Sequence, residues 1–266
     1  MMKYIVVTGS CGGMGKSTIK ELLNKGYGVI ALDINKSDDV NLPNVNQIIC
    51  DVTSEESVQQ AFEMTFSITQ EIYSIIHFAG MYVMDSLVEI EYPNLDKIFK
   101  VNFFGVYLIN KTFLPLLNKG SRIITITSEL APLNPLPFTG IYAITKSTLD
   151  KYCYSLRMEL QLLGIEVAVL RAGAVQTAML GESTSSLDKF CEKTKLYNCN
   201  AKNFRNIVNK VETKCIPPEK IATKVIKMIE TKNLKFAYKI NANKYLRLLS
   251  KMPKKFQFWI IRKILK

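Results

Sequence analysis

The pair of residues with the clearest chemical potential is Tyr142 and Lys146, in the run Tyr-Ala-Ile-Thr-Lys. If this run is helical, the four-residue spacing places the phenol and the ammonium on one face. A phenol has a reference pKa of about 10, and lowering it to ~7 needs roughly 4 kcal/mol, which a nearby fixed cation helps to supply. The same spacing arises by chance on many helices. The interpretation therefore depends on the residues upstream.

Strand-like and helical segments alternate along the chain and would position this pair. The short β-branched runs are predicted strands, at 3–8, 28–32, 46–50, 72–78, 121–127, 165–170 and 235–240. The longer segments with helical spacing are predicted helices, at 14–25, 54–69, 94–117, 140–163 and 217–231. Apolar strands separated by helices are typical of a parallel sheet covered on both faces. Because no linker divides the chain, the sequence predicts one doubly wound α/β domain over 1–266, with about seven strands.

Composition narrows the class of protein. With 48% hydrophobic and 22% charged residues, the chain is typical of a soluble globular protein, and no apolar run approaches the ~20 residues of a membrane span. The first predicted strand begins almost at Met1, which leaves no room for a signal peptide. Six scattered cysteines and the single histidine His77 predict reduced thiols, no metal site and no histidine-assisted nucleophile. We expect a cytoplasmic protein.

The net charge of +12 is concentrated at the C-terminal end. Residues 1–188 carry 14 Lys/Arg and 19 Asp/Glu, whereas residues 189–266 carry 21 and 4. This asymmetry indicates either an anionic partner or a lysine-rich solvated face. The basic residues lack the glycine–aromatic interleaving of RNA-binding modules, which favours the solvated face and argues against nucleic acid.

The tail 243–266 contains eight Lys/Arg, no acidic residue and interleaved apolar side chains. A basic amphipathic helix of this kind can lie on an anionic membrane. The alternative is that its apolar residues pack on the pocket or on another subunit, with the lysines in solvent. The sequence favours packing and leaves peripheral membrane contact open.

The first predicted strand leads into a glycine-rich loop, Thr-Gly-Ser-Cys-Gly-Gly-Met-Gly, directly before a helix. Glycine there permits a tight turn and close approach to a pyrophosphate, which the helix N-terminus holds. Strand, loop and helix together predict a dinucleotide site in a Rossmann-type domain. Gly15-Lys16-Ser17 also resembles the end of a P-loop, but that motif needs glycine where Ser10 stands. A P-loop nucleotide hydrolase is the weaker alternative.

Asp33 ends the second predicted strand, eighteen residues after Gly15. An acidic residue at this point accepts hydrogen bonds from the adenosine ribose and repels a 2′-phosphate. The alternative is a strand-terminal aspartate that caps a turn. With the glycine loop ahead of it, Asp33 predicts NAD in preference to NADP, although Lys36 nearby favours the phosphate.

These motifs make the chain resemble the short-chain dehydrogenase/reductase family along essentially its whole length. The matches are the glycine loop, an acidic residue after the third strand, an Ala-Gly pair after the fourth, a structural asparagine, a serine, Tyr-x-x-x-Lys and a turn after the sixth strand. They comprise Thr8, Gly9, Gly13, Met14 and Gly15; Asp51 and Val52; Ala79 and Gly80; Asn102; Ser128; Tyr142 and Lys146; and Gly173, Val175 and Thr177. Their order and spacing are far more specific than any single motif.

The resemblance implies a role for each residue. Tyr142 would donate a proton to a carbonyl or remove one from an alcohol, and Ser128 would stabilise the substrate oxygen. Lys146, together with a positively charged cofactor ring, would lower the Tyr142 pKa and hold the nicotinamide ribose. Asn102 would anchor a water that links Lys146 to solvent, and Thr177 would contact the nicotinamide carboxamide. The cofactor supplies the hydride.

Two family positions differ in this chain. His77-Phe78 stands where the family has Asn-Asn, and Ala172 stands where it has proline. These departures favour an alternative function, a dinucleotide-sensing or scaffold protein without turnover. The intact set of catalytic residues, Asn102, Ser128, Tyr142 and Lys146, favours an NAD(H)-dependent oxidoreductase.

The resemblance also bears on substrate and assembly. The segment 178–216 would cover the substrate, and the runs at 154–167 and 245–253 resemble members acting on hydroxysteroids, retinoids and related lipophilic alcohols. We predict a hydrophobic secondary alcohol or ketone, with small hydroxy acids and sugars as alternatives, and a homodimer or homotetramer built through the predicted helices at 94–117 and 140–163. The candidate pocket walls are Met179, Leu180, Leu187, Phe190 and Tyr197.

Overall fold

The computed structural model of the protein describes residues 2–212 and 214–266, with side chains described outside 178–184 and 211–213. Its seven strands form one parallel sheet in the order β3-β2-β1-β4-β5-β6-β7. The strands are β1 Tyr4–Thr8, β2 Gly28–Asp33, β3 Val45–Ile49, β4 Ile72–His77, β5 Leu117–Ser128, β6 Glu166–Ala172 and β7 Ala237–Ile240. The predicted doubly wound α/β domain is confirmed.

Helices cover the two faces of the sheet and its C-terminal end. They are α1 Gly13–Asn24, α2 Glu55–Ile68, α3 Tyr92–Phe99, α4 Gly105–Phe113, α5 Gly140–Leu160, α6 Ala178–Lys193, α7 Asn198–Glu212, α8 Pro218–Glu230, α9 Lys244–Lys251 and α10 Lys254–Leu265. Within the described residues, none of them has the length and apolarity needed to cross a bilayer.

The alternation of side chains along each strand produces two apolar cores. In β1, Val6 joins the core beneath α2, α4 and α5, whereas Ile5 and Val7 join the core beneath α1 and α8. All three side chains are fully buried. Because β1 lies between β2 and β4, the direction of winding reverses there, and a crevice opens at the carboxyl edge of the sheet.

The predicted helix 94–117 is interrupted. A π-helical turn, Lys100–Phe104, separates α3 from α4, and a short 3₁₀ turn, Leu114–Leu116, follows α4. π-Turns inside helices occur frequently at functional sites. Periodicity alone did not reveal this turn, since an apolar pattern continues through it.

The segment 178–216 contains two helices, α6 and α7, that were not among the predicted helices. The tail, which was predicted as a basic amphipathic helix, forms two helices, α9 and α10. An aromatic cluster holds this region together, with Phe138 in contact with Phe190 and Phe204 at ring-centroid distances of 4.7 and 5.3 Å. Leu265 of α10 packs against the same cluster. The tail therefore closes over α7 through its inner face.

Candidate active site

A cleft of about 740 Å³ lies at the carboxyl ends of β1, β2 and β4. Most of the residues predicted to bind the cofactor line this cleft. They are Gly9, Gly13, Met14, Gly15, Asp33, Asp51, Val52, Ala79, Gly80 and Thr177. The reversal point of the sheet is where open α/β domains bind dinucleotides.

Two positions of the loop after β1 require glycine. Gly9 has a φ of +65°, and a Cβ there would lie 2.5 Å from the Ala79 backbone nitrogen. A Cβ on Gly15 would lie 2.3 Å from the Gly9 carbonyl oxygen. α1 follows with no side chain capping its first turn, so the backbone N–H groups at that end are available to a phosphate. The loop therefore fits a pyrophosphate.

Thr8 contributes from beneath the cleft. Its side chain is buried, and its hydroxyl oxygen accepts a hydrogen bond from Ala79 N at 3.3 Å. Thr8 thus holds the segment that follows β4 against the glycine loop. It is not among the described residues that line the cleft.

Two carboxylates stand on the cleft wall. Asp33 accepts hydrogen bonds from Cys11 N at 2.9 Å and from Asn35 N at 3.1 Å. Asp51 accepts from both the backbone and the hydroxyl of Thr53, at 2.9 and 2.7 Å. These bonds fix the two side chains on the wall of the cleft.

A second cavity, an apolar pocket of about 230 Å³, adjoins the cleft. Ser128, Tyr142 and Lys146 line it. Gly173 and Val175, which were predicted to contact the cofactor, also lie on its wall. The pocket and the cleft share three lining residues, Met14, Phe78 and Thr177. A dinucleotide in the cleft could therefore reach the phenol of the pocket.

Burial governs the electrostatics of Tyr142. It raises the pKa of the phenol to about 12, while a hydrogen bond with Ser128 acts in the opposite direction and the charge of Glu129 raises the pKa further. The side chain also packs on Tyr82, with ring centroids 4.2 Å apart. Lowering this pKa to ~7 would need roughly 7 kcal/mol, more than the unperturbed phenol requires.

Lys146 lies on the same face of α5, with its ammonium 5.9 Å from the centre of the Tyr142 ring. It donates a hydrogen bond to the Ile126 carbonyl at 3.3 Å. Burial lowers its pKa to about 8. In the chain alone, burial raises the pKa of the Tyr142 phenol, so the predicted lowering of this pKa depends on a further positive charge such as a cofactor ring.

Asn102, in the π-helical turn, is fully buried and connects the segment that follows β4 with α5. Its amide oxygen accepts from Met81 N at 2.8 Å, and its amide nitrogen donates to Met81 O at 3.0 Å and to the Thr145 hydroxyl at 3.1 Å. A Cβ on Gly80 would lie 3.2 Å from this amide oxygen and 3.4 Å from Lys146 Nζ. The side chain thus positions the residues around Lys146 through direct protein contacts.

An ion pair that sequence reasoning missed fixes α5 on the sheet. Arg171 of β6 donates two hydrogen bonds to Asp150, at 2.9 and 2.6 Å, and Thr127 donates to the same carboxylate at 3.3 Å. Asp150 is buried one helical turn after Lys146. The sequence carried one signal, because Asp150 lies four residues after Lys146 and therefore on the same face of α5. It did not reveal the ion-pair partner, because Arg171 lies on β6, a strand that is distant along the chain.

His77, the first of the two family departures, lies in a buried polar network. Its Nε2 is 2.8 Å from the Asn110 amide oxygen, and the Asn110 amide donates to the Tyr152 hydroxyl at 3.3 Å. Burial lowers the pKa of His77 to about 4, so the imidazole is neutral at pH 7. The residue replaces the family's asparagine with another hydrogen-bonding group inside the fold.

The predicted pocket walls need correction. Leu187 and Phe190 are buried in the aromatic cluster and Tyr197 packs against it, so all three lie behind the pocket surface. The side chains of Met179 and Leu180 lie outside the described residues. The C-terminal region supplies other side chains to the wall, Phe204, Ile207, Val208 and Leu246.

The P-loop alternative requires Lys16 to reach a bound phosphate, but Lys16 is not among the described residues that line the cleft. Lys16 instead forms an ion pair with Asp39 at 2.5 Å.

The site is a dinucleotide cleft opening onto a Ser-Tyr-Lys pocket, which defines a Rossmann-type oxidoreductase.

The sequence matches the short chain dehydrogenase family over residues 3–188, and the chain belongs to this family. It is 32% identical over 182 residues to the uncharacterized oxidoreductase YbbO of Escherichia coli K12, across 66% of this chain and 67% of that protein. The 3-ketodihydrosphingosine reductase of Bacteroides thetaiotaomicron is 26% identical over 249 residues, across 90% and 87%. A short chain dehydrogenase from Burkholderia cenocepacia, solved with NADP, shares the fold with a TM-score of 0.73 at 20% identity, across 100% and 98%.

Membership defines the class of enzyme. The protein is an NAD(P)-dependent oxidoreductase acting on CH–OH groups. The alternative of a non-catalytic sensing or scaffold protein is not favoured, because the relatives are dehydrogenases and reductases.

Proposed function

We propose that the protein interconverts a hydrophobic secondary alcohol and the corresponding ketone, with NAD(H) as cofactor and Tyr142 as the proton donor and acceptor. The observation that supports the proposal is the meeting of the two cavities, because the pocket lined by Ser128, Tyr142 and Lys146 shares lining residues with the cleft. When bound, the dinucleotide supplies or accepts the hydride.

The side chains of the pocket account for the proton chemistry. A buried phenol with a raised pKa keeps its proton, which suits a donor to a carbonyl oxygen. The Ser128 hydroxyl stabilises the charge that develops on that oxygen. Lys146, whose pKa is lowered to about 8, stabilises the phenolate left after proton transfer.

NAD is proposed over NADP because of Asp33. Its carboxylate is held on the cleft wall by Cys11 N and Asn35 N, at the end of β2. A carboxylate there accepts hydrogen bonds from ribose hydroxyls and repels a 2′-phosphate. The Burkholderia relative was solved with NADP, so both cofactors belong in the assay.

The substrate class rests on the pocket lining. Most of the wall is apolar, with Met84, Leu136, Phe204 and Val208 facing the space next to Tyr142. Such a lining favours a lipophilic alcohol or ketone over a small hydroxy acid or a sugar, whose hydroxyl groups would lack partners.

A panel of steroid, retinoid and short-chain alcohols, offered with NAD and with NADP, tests the function through the absorbance of the reduced cofactor. We expect turnover of lipophilic alcohols with NAD. Turnover confined to hydroxy acids or sugars would overturn the substrate class, and a preference for NADP would overturn the cofactor assignment.

Self-association is proposed through the outer faces of α5, of α4 and of the π-helical turn before α4. Phe104 in that turn and Tyr107 in α4 are 49% and 39% exposed, and Tyr154 and Met158 in α5 are 54% and 52% exposed. Exposed apolar residues grouped on helices commonly mark protein interfaces. A homodimer or homotetramer built on these helices would bury them.

Peripheral contact with an anionic membrane is proposed for the outer face of α9 and α10. The inner face packs on the protein, because Gln257 is buried and Asn200 donates to the Leu265 carbonyl at 2.6 Å. The outer face exposes Phe258 and Trp259 by 66% and 54%, among basic residues. A cytoplasmic enzyme with such a surface would bind reversibly at the lipid interface.

A further inference from the structure

A third cavity, of about 190 Å³, lies between α9 and the carboxyl ends of β5, β6 and β7. We call it the basic cavity, because four of the nine described residues that line it are basic. They are Arg171 of β6, Lys239 of β7, and Arg247 and Lys251 of α9. Sequence reasoning did not group these residues, because they lie on two strands and a helix that are separate along the chain.

The fold brings these positive charges together in two ways. Arg171 and Lys239 are directly opposite each other in the parallel register of β6 and β7, so their side chains share one face of the sheet. Arg247 and Lys251 are four residues apart on α9, a spacing at which like charges destabilise a helix. A bound anion would offset the repulsion in both pairs.

The charges around the basic cavity do not balance. Arg171 is neutralised by its ion pair with Asp150. The other three basic residues of the wall form no ion pair with any described residue. Glu129, which is half-buried and accepts a hydrogen bond from Asn243 N, is the one carboxylate among the described residues of the wall. Three positive charges against one negative charge leave the cavity with a net charge of +2.

This excess charge matches a phosphate monoester better than other common anions. A monoester carries about −1.5 to −2 at pH 7, whereas a phosphodiester or a carboxylate carries a single negative charge. The guanidinium of Arg247 can donate two parallel hydrogen bonds to phosphate oxygens, and lysine ammonium groups bind the same oxygens as point charges.

The surroundings of the basic cavity favour a phosphate that is attached to a lipid. Gln257 of α10 donates hydrogen bonds to the carbonyl oxygens of Ser250 and Met252, at 3.4 and 2.7 Å, and Ser250 lines the cavity. Phe258 and Trp259 directly follow Gln257 and are exposed. The exposed aromatic surface of α10 is therefore fixed at the edge of the basic cavity, where aromatic side chains and cations together suit a lipid interface.

We propose that the basic cavity binds the phosphate monoester headgroup of an anionic phospholipid, held by Lys239, Arg247 and Lys251. The inference rests on the membrane contact proposed above for α9 and α10, and it does not depend on the reaction. Leu246 of α9 lies in the wall of the substrate pocket. A headgroup bound against the same helix would therefore place that pocket beside the lipid that delivers a lipophilic substrate.

Sedimentation of the unmodified protein with two kinds of vesicle tests the headgroup. One kind contains phosphatidic acid, a monoester, and the other contains phosphatidylglycerol, a diester, with the two matched in total negative charge. Matching equalises the attraction to surface charge, so any preference measures recognition of the headgroup. We expect about tenfold stronger binding to phosphatidic acid, as charge-assisted hydrogen bonds provide.

The failures of this measurement are distinguishable. Equal binding to the two kinds of vesicle would overturn the headgroup site and leave the membrane contact in place. Absence of binding to both would overturn the membrane contact and the headgroup site together. Neither result would bear on the turnover of alcohols in solution.

A double variant, Lys239→Gln with Arg247→Gln, tests the residues of the wall. Lys244→Gln with Lys255→Gln is the matched control, because it also removes two charges from exposed residues but leaves the described wall intact. Both variants should bind anionic vesicles more weakly. Only the first should lose the preference for phosphatidic acid, to within about twofold. A preference that persists in the first variant, or that disappears in the control, would contradict the assigned residues.

Titration with glycerol 3-phosphate in the absence of vesicles separates a lipid from a soluble phosphate ester. We expect the soluble ester to bind at least about tenfold more weakly than phosphatidic acid vesicles, because it gains no contact with Phe258 and Trp259. Equal or tighter binding of the soluble ester would assign the basic cavity to free phosphate esters and overturn the lipid assignment.

Discussion

The dinucleotide cleft and the apolar pocket meet at Met14, Phe78 and Thr177, but they are assembled differently. The cleft is built mainly from the loops that follow β1, β2, β3 and β4. The pocket combines the β5 exit and α5 with side chains from α7 and α9, far along the chain. A cofactor site is thus specified by short local motifs, whereas a substrate site depends on distant segments.

The largest effect is expected from a substitution in the pocket that stops the reaction but leaves cofactor binding in the cleft intact. Tyr142→Phe should lower kcat by about 100- to 10,000-fold, because it removes the proton donor and acceptor. The dissociation constant for NADH, measured by fluorescence, should stay within about threefold. Tyr154→Phe, on the exposed side of the same helix, should be close to the natural enzyme. Full activity in Tyr142→Phe would refute the mechanism.

The second effect concerns the polar network beneath the cleft. The pKa of His77 is about 4 in the folded protein, below the value of about 6.5 expected when it is unfolded. Between these values only the unfolded chain binds the proton, so stability is complete above pH 6.5 and falls as the pH decreases towards 4, by about 3 kcal/mol in total.

Denaturant unfolding at several pH values checks this prediction against His77→Asn. The variant keeps an amide that can bond Asn110 but cannot titrate. Its unfolding free energy should therefore depend less steeply on pH over this range. Identical slopes for the two proteins would show that other groups cause the acid sensitivity.

Two glycines allow the geometry of the cleft to be tested directly. Gly9 and Gly26 both have positive φ, at +65° and +80°, but only Gly9 has backbone atoms where a Cβ would lie. Each alanine variant should lose about 1–2 kcal/mol from the left-handed conformation. Gly9→Ala should in addition weaken NADH binding by more than about tenfold, since the loop must move away from Ala79. Equal NADH affinity in both variants would contradict the assigned loop.

The proposed role of Asp33 in selecting NAD over NADP can be tested by substitution. Asp33→Asn should raise the ratio of kcat/KM with NADP to kcat/KM with NAD by about tenfold, because it removes the charge that repels a 2′-phosphate. Asp38→Asn, an exposed neighbour, serves as the control. An unchanged ratio in Asp33→Asn would remove Asp33 as the residue that selects the cofactor.

The smallest effect is expected at the outer surface beyond the pocket. Combined Phe258→Ser and Trp259→Ser should reduce sedimentation with anionic vesicles by about threefold, without loss of activity. Leu162→Ser, at an 83% exposed site far along the chain from the tail, should not change sedimentation. Negligible sedimentation of the natural sequence would end the membrane proposal, and a vesicle-independent change of oligomeric state would assign the surface to a second copy.

The sequence by itself determined the alternation of strands and helices and the positions of the glycine loop, Asp33 and the Tyr-Lys pair. These features depend on local backbone requirements and on spacings within one element, which a sequence displays directly. Where periodicity was ambiguous, as at the π-helical turn around Asn102, the local pattern did not reveal the break.

Only the tertiary structure decided which side chains surround the reaction centre. The Asp150–Arg171 pair behind α5, and Phe204 and Val208 in the pocket wall, each depend on segments that are distant in sequence. Such contacts form because separate helices and strands bury their apolar faces together, and no local pattern encodes which partners will meet.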